Sequence, residues 1–252
     1  MTIVFLCIAG FVAAFVDSIA GGGGLISVPA YYMAGLPTHM VLGTNKFSAT
    51  CASLTSSIKY LKSGHGHKKL LKHALPFTFI GASIGVTTAL QINEKALSSI
   101  ILVMVMIIGV SSLFSKSVGM KENLKPIDKK RIVLLVILAL SLGFYDGFFG
   151  PGTGSFLIFG LIHIFGFEFK KAGANARVMN FVSNISSLFL YAINLKINLY
   201  YGIPVAIFSI LGARFGTAFA LKKGAKVIKP IFVTMSLLLS LKLLLVDVLK
   251  IL

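Results

Sequence analysis

Two cations lie in stretches where a hydrocarbon core would exclude them. Lys46 sits in GTNKFSAT and Arg177 in ANARVMNFVSN. On a helix, Arg177, Asn180 and Asn184 are spaced by three and four residues and share one face. Asn45, Lys46, Ala49 and Ser53 occupy the matching face of the earlier segment, with Thr44 beside them, and Asn175 precedes Arg177 as Thr44 precedes Lys46. One cation with amide and hydroxyl donors, presented twice, is the chemistry that holds a small oxyanion. Two aspartates accompany them. Asp17 precedes Gly21, Gly22, Gly23 and Gly24 in FVDSIAGGGG, and Asp146 precedes Gly150, Pro151, Gly152, Thr153 and Gly154 in FYDGFFGPGTG.

A charge beside helix breakers at membrane depth is costly, because freed backbone groups find no water there. Such segments persist where broken backbone is buried in protein or lines a polar cavity. The breaks also expose backbone N–H groups and positive half-helix ends, which favour anions. Gly22, Gly23, Gly152 and Thr153 are candidates for that contact. Asp17 and Asp146 are either counter-charges to Lys46 and Arg177 or proton-carrying groups; the alternative is that the charges only pin the hairpins together.

The elements positioning these residues are membrane helices. Of 252 residues, 56% are hydrophobic and 12% charged, with a mean hydropathy of +0.93, whereas soluble domains carry about 25% charge. Windows 74–90, 96–114, 132–149, 203–221 and 227–246 are apolar on all sides and near the ~20 residues a spanning helix needs. A soluble helical core would show polar outer faces, and a membrane β-barrel would alternate. The N-terminus lacks the basic region of a signal peptide. Cys7 and Cys51 read as small buried hydrophobes, and no spacing suggests a metal site; His65 and His67 read as a solvated loop.

The net charge of +17 raises nucleic acid as a partner, but the basic residues gather in short loops rather than on an amphipathic face. Lys62, Lys68, Lys69 and Lys72 form one group, 116–131 a second, and Lys222, Lys223, Lys226 and Lys229 a third. The positive-inside rule places all three in the cytoplasm, against anionic headgroups. Both termini then fall outside.

The chain also repeats. Gly81-Ala82-Ser83-Ile84-Gly85 matches Gly212-Ala213-Arg214-Phe215-Gly216 at an offset of 131, Pro76 corresponds to Pro204, and Ser53 to Asn184. The resulting expectation is an all-α polytopic membrane protein of two inverted-topology repeats, a secondary-transporter architecture. Residues 1–115 form the first, 116–131 a basic cytoplasmic linker and 132–252 the second. Each repeat is a glycine-broken helical hairpin, spanning or re-entrant, followed by three transmembrane helices. The glycine pairs serve close helix packing.

Enzyme signatures are weak: the sequence has no HExxH or CxxC, its one GxSxG spacing, Gly81-Ala82-Ser83-Ile84-Gly85, is the glycine pair read above as helix packing, and Gly21–Gly24 lacks a phosphate-loop ending. No histidine has an obvious carboxylate partner; His39 and His163 read as packing or interfacial residues. No cofactor is expected.

FVDSIAGGGGLISVPA from Phe15, GTNKFSAT from Gly43, GFYDGFFGPGTGSF from Gly143, ANARVMNFVSN from Ala174 and LGARFG from Leu211 resemble the sulfite exporter TauE/SafE family, and within it the YfcA-type branch. The resemblance implies a multi-pass carrier in a bacterial or archaeal cytoplasmic membrane, moving sulfite, thiosulfate or an organosulfonate. Relatives often carry lysine where this chain has Arg177, a fork in place of a point charge. The anion is expected to move by alternating access, with Lys46 and Arg177 as its contacts and Asn45, Asn175, Asn180 and Asn184 orienting it. Asp17 and Asp146 are the expected proton-coupling groups. Rival expectations are a carrier of another organic anion, an anion channel, or a non-transporting subunit; self-association stays open.

Overall fold

A computed structural model describes residues 1–113 and 123–223. The window 227–246 and residues 116–122 of the linker lie outside the described residues. Every regular element among those described is an α-helix: α1 Thr2–Ala20, α2 Gly24–Met33, α3 Thr38–Lys62, α4 Lys68–Gln91, α5 Glu94–Leu113, α6 Lys129–Phe148, α7 Thr153–Phe165, α8 Phe169–Ile193 and α9 Leu199–Lys223. Helices α1, α4, α6 and α9 are long and apolar enough to cross a membrane. Helices α3 and α8, 25 residues each, carry the polar faces anticipated around Lys46 and Arg177.

The two hairpins are α1–α2 and α6–α7. Their second arms hold only 10 and 13 residues. At ~1.5 Å per residue they reach about 15 and 20 Å, short of a ~30 Å hydrocarbon core. Both chains turn back inside the protein. The turns are made at Gly21 (φ +85°) and Gly152 (φ +88°), backbone that a Cβ would strain. The two tips then meet. Ser155 Oγ donates to the Ala20 carbonyl at 2.8 Å, and a Cβ on Gly21 would run into the backbone of Gly154 and Ser155.

Close helix packing follows the glycine pairs. Gly81 and Gly85 of α4 lie against the backbone carbonyls of Leu140 and Phe144 on α6, while Gly143 and Gly147 of α6 lie against Thr78 and Ala82. Gly212 and Gly216 of α9 face the carbonyls of Phe11 and Phe15 on α1 in the same way. In both pairs the contacts advance in step, so the helices run parallel. Each pair takes one helix from either half of the sequence. Helices α3 and α8 cross the middle antiparallel, Lys46 meeting Asn184 near their midpoints and Tyr60 meeting Gly173 toward one end. Because no lipid or side chain separates these backbones, larger residues must force them apart. Gly85→Leu should therefore cost about 1–3 kcal/mol, lowering the apparent Tm in detergent by several degrees, as read by a tryptophan-free thermal assay such as thiol labelling.

Contacts between loops sort the charge. His67 N–H donates to Asn175 Oδ1 at 2.8 Å, Lys59 Nζ to the Arg214 carbonyl at 2.9 Å, and Lys125 N–H to the Phe165 carbonyl at 2.9 Å. These tie the ends carrying Lys59, Lys62, Lys68, Lys69, Lys72, Lys125, Lys129, Lys130, Arg131, Lys170, Lys171 and Lys222 to one side of the molecule. The opposite side carries Lys95 and Lys196. Apolar clusters flank the polar middle. One runs from Leu6 and Leu25 to Ile101 and Val205, the other through Leu70, Leu135, Leu161 and Met179.

Candidate functional site

Each hairpin delivers its aspartate to the cation of the other half. Lys46 on α3 reaches Asp146 near the end of α6, Nζ to Oδ2 at 2.8 Å, with both side chains 3% exposed. Lys46 also donates to Asn184 Oδ1 at 3.0 Å, and Ser183 Oγ donates to the same Asp146 oxygen at 2.6 Å. Arg177 on α8 meets Asp17 near the end of α1, Nη1 to Oδ2 at 3.3 Å. The other Asp17 oxygen accepts the Gly23 N–H at 3.1 Å. A buried pair of this kind is retained only when its remaining lone pairs and protons are bonded. The Lys46 pair satisfies that better than the Arg177 pair.

A cavity of ≈ 50 Å³ opens beside the Lys46 pair. A single water needs about 10–15 Å³, so it has room for more than one water-sized group. Its polar wall is Asp17, Gly23, Ser27, Asn45, Lys46, Ser48, Asp146, Asn180, Asn184 and Ser209, and the rest is alanine and glycine from both hairpins and α3. Ammonium has three donors. Asp146 and Asn184 take two from Lys46, leaving one for the cavity. Asn45 Oδ1 accepts from Ser27 Oγ at 2.6 Å, and Asn180 Oδ1 accepts from Asn184 Nδ2 at 3.4 Å. Both amides therefore keep NH₂ groups to offer. The chemistry is a donor-rich pocket with one cation, Lys46, and two carboxylates, Asp146 paired with Lys46 and Asp17 paired with Arg177 behind the wall.

The structure brings Asp17, Gly23, Asn45, Lys46, Asp146, Asn180 and Asn184 to this cavity and leaves the other expected residues off its wall. Thr44 Oγ1 accepts the Asn198 N–H at 2.9 Å and ties α3 to the α8–α9 turn. Asn175 is held between His67 N–H and the Lys171 carbonyl. Thr153 Oγ1 donates to the Gly150 carbonyl at 2.7 Å, and Gly22 and Gly152 turn the hairpins. Arg177 is fully buried beneath Gly154, whose Cβ would lie 2.8 Å from Nη1.

Ser27 and Ser48 join the cavity wall without having been among the expected contacts, and two further serines contribute near it. Ser183 holds Asp146, and Ser209 reaches the cavity while donating to the Gly10 carbonyl at 3.3 Å. Ser209 is matched by Thr78 at the repeat offset of 131, which is the signal that points to it. His39 needs a correction. It has a carboxylate partner, Nδ1 lying 2.6 Å from Glu94 Oε1, with Nε2 3.1 Å from the Ala89 carbonyl. Two turns distant in sequence, before α3 and before α5, bring that pair together. Among the described residues no group of three His, Cys, Asp or Glu side chains converges.

A multi-pass helical protein whose broken hairpins meet over buried ion pairs and a polar cavity belongs to the class of membrane transporters. The profile described as "Sulfite exporter TauE/SafE" matches residues 6–243. The chain is 38% identical over 251 residues to "Probable membrane transporter protein ORF9" of Sinorhizobium sp, covering 95% of this chain and 91% of that protein. It is 36% identical over 239 residues to a "Probable membrane transporter protein" of Haemophilus influenzae, covering 95% and 92%. Against "Probable membrane transporter protein YfcA" of Escherichia coli it is 34% identical over 239 residues, covering 95% and 88%. No solved structure is significantly similar to it. The chain belongs to the sulfite exporter TauE/SafE family of membrane transporters.

Proposed function

We propose that the protein is a secondary transporter of a small sulfur-containing anion (sulfite, thiosulfate or an organosulfonate) that binds at Lys46. The observation carrying this reading is the Lys46–Asp146 pair, buried where the two hairpin tips meet and opening on a donor-rich cavity. Asn45, Asn180 and Asn184 orient the anion. Asp146 and the anion compete for one ammonium, so protonating Asp146 releases Lys46 to the substrate. That exchange couples anion movement to protons, with Asp17 in the corresponding place on Arg177.

In this reading residues 1–115 and 132–252 are inverted repeats joined by the basic segment 116–131. The cross-pairing of α1 with α9 and of α4 with α6 supports that duplication, since each contact has its counterpart in the other half. The basic end faces the cytoplasm of a bacterial or archaeal cell, by the positive-inside rule, and the hairpins rock about their common tip to alternate access.

Thermal stabilisation of the detergent-purified protein tests the binding step. The panel is sulfite, thiosulfate, sulfate, taurine, sulfoacetate and acetate at two pH values. An anion present at one hundred times its Kd adds about 2.7 kcal/mol to the native state, or roughly 5–10 °C for a chain of this size. Selective stabilisation by a sulfur anion, lost in Lys46→Ala, is expected. A response to acetate alone would transfer the reading to organic acids. Asp146→Asn should keep the response yet remove its dependence on pH.

A further inference from the structure

Lys46 and Arg177 hold equivalent places in the repeat, yet their surroundings differ. Lys46 shares its donors among Asp146, Asn184 and the cavity. Arg177, with none of its surface exposed, makes one contact through Nη1, to Asp17 at 3.3 Å. That is long for a charge-assisted bond, ordinarily about 2.7–2.9 Å. Its Nε and Nη2 are buried and face no acceptor among the described residues. Leaving guanidinium donors unbonded away from water is costly, so a protein keeps them only where something else completes them.

Nε–H and one Nη2–H point the same way, forming one edge of the planar guanidinium. That edge is the fork that accepts two oxygens of a carboxylate, sulfonate or similar oxyanion in parallel bonds. Asp17 takes the remaining nitrogen. The same guanidinium abuts the hairpin tips: Gly154 lies between Nη1 and Gly21, where a Cβ would be 2.8 Å from the first and 2.9 Å from the Cα of the second. Both glycines belong to the hairpin tips.

We infer that the Nε–Nη2 edge of Arg177 is a second oxyanion position, closed in the conformation seen here and opened when the Gly21 and Gly154 tips part. The anion passes from Lys46, which binds it as a point charge, to Arg177, which binds it through two oxygens. Asp17 is a positioning residue that fixes the guanidinium plane. This rests on the transport reading above and adds to it an ordered pair of contacts with different geometric demands. A spherical anion such as chloride meets the fork at a single atom, whereas an oxyanion takes two parallel N–H···O bonds, so the fork favours oxyanions over chloride.

The sequence contains three arginines, Arg131, Arg177 and Arg214, so a spectrum of ¹⁵N-labelled arginine side chains holds three Nε–H signals, assigned with Arg177→Lys. Arg131 Nε already donates to the Ile164 carbonyl at 3.2 Å and serves as a control. Sulfite, thiosulfate, taurine and chloride are titrated separately into the parent protein. The expected result is a shift of the Arg177 signal that saturates with a sulfur oxyanion at concentrations well below those at which chloride moves it, while Arg131 stays fixed. In liposomes, Arg177→Lys, which keeps the charge facing Asp17, should slow oxyanion counterflow about ten-fold or more through loss of one charge-assisted bond. Its Lys46-dependent thermal stabilisation should persist. An Arg177 signal that stays fixed while thiosulfate or sulfite stabilises the protein through Lys46 overturns the second position and leaves the transport reading standing. If none of the three sulfur anions stabilises the parent, both fall together.

Discussion

Lys46→Ala should eliminate anion-dependent stabilisation and also weaken the fold by about 3–5 kcal/mol, the cost of stranding a buried charge. Asp146 is 3% exposed, and without the ammonium it keeps only the Ser183 hydroxyl among the bonds described for its carboxylate. These two effects have different origins and can be separated. Removing both charges, as in Lys46→Met with Asp146→Asn, takes away the stranded carboxylate, so most of the lost stability should return. Binding should not return, because no cation then faces the cavity. Denaturation midpoints report the first effect and anion-induced thermal shifts the second. A double variant that still recognised a sulfur anion would show that Lys46 is a structural residue.

The second large effect is expected at the hairpin tip. Gly21 has φ +85°, and a side chain there would meet the Gly154 and Ser155 backbone. Gly35 has nearly the same backbone, φ +79°, but nothing within 4 Å of the place a Cβ would occupy. Gly35→Ala therefore carries only the conformational cost, about 1–2 kcal/mol. Gly21→Ala carries that cost and a backbone collision that cannot relax by a rotamer change. It should break the Ser155–Ala20 hydrogen bond and part the tips. The expected phenotype is loss of transport together with a lower Tm, against near-normal transport in Gly35→Ala. Equal behaviour of the two variants in a liposome assay would mean that contact between the tips is unimportant.

How much was legible beforehand depends on what kind of information spacing carries. Helix breakers beside Asp17 and Asp146 marked interrupted hairpins correctly, because glycine runs in apolar surroundings have few other uses. The second arms, α2 and α7, turned out too short to cross, a matter of length that the unbroken apolar stretch concealed. Periodicity gave the azimuth of the polar residues on α3 and α8 but not their depth. Asn175 and Asn184 are nine positions apart on α8, about 13 Å along a helix axis. One therefore bonds the loop at His67 while the other meets Lys46.

Nor could spacing tell which aspartate serves which cation. The fold pairs them across the halves, Asp146 to Lys46 and Asp17 to Arg177. That exchange follows from tertiary packing, in which the tip of each hairpin lies against a helix of the other half. The covering of Arg177 by Gly154 and the pairing of His39 with Glu94 have the same origin: residues far apart in sequence meet only after the helices dock.

Counterflow of ³⁵S-thiosulfate and ³⁵S-sulfite in proteoliposomes, compared between the parent and the Lys46→Met/Asp146→Asn variant, tests the central claim most directly. The double variant is chosen because it should remain folded. The account predicts saturable exchange of a labelled sulfur anion by the parent, accelerated by an inward proton gradient and absent from the variant. Exchange that persists in the variant, or flux through the parent that neither saturates nor responds to anion on the far side, would contradict a carrier built on Lys46.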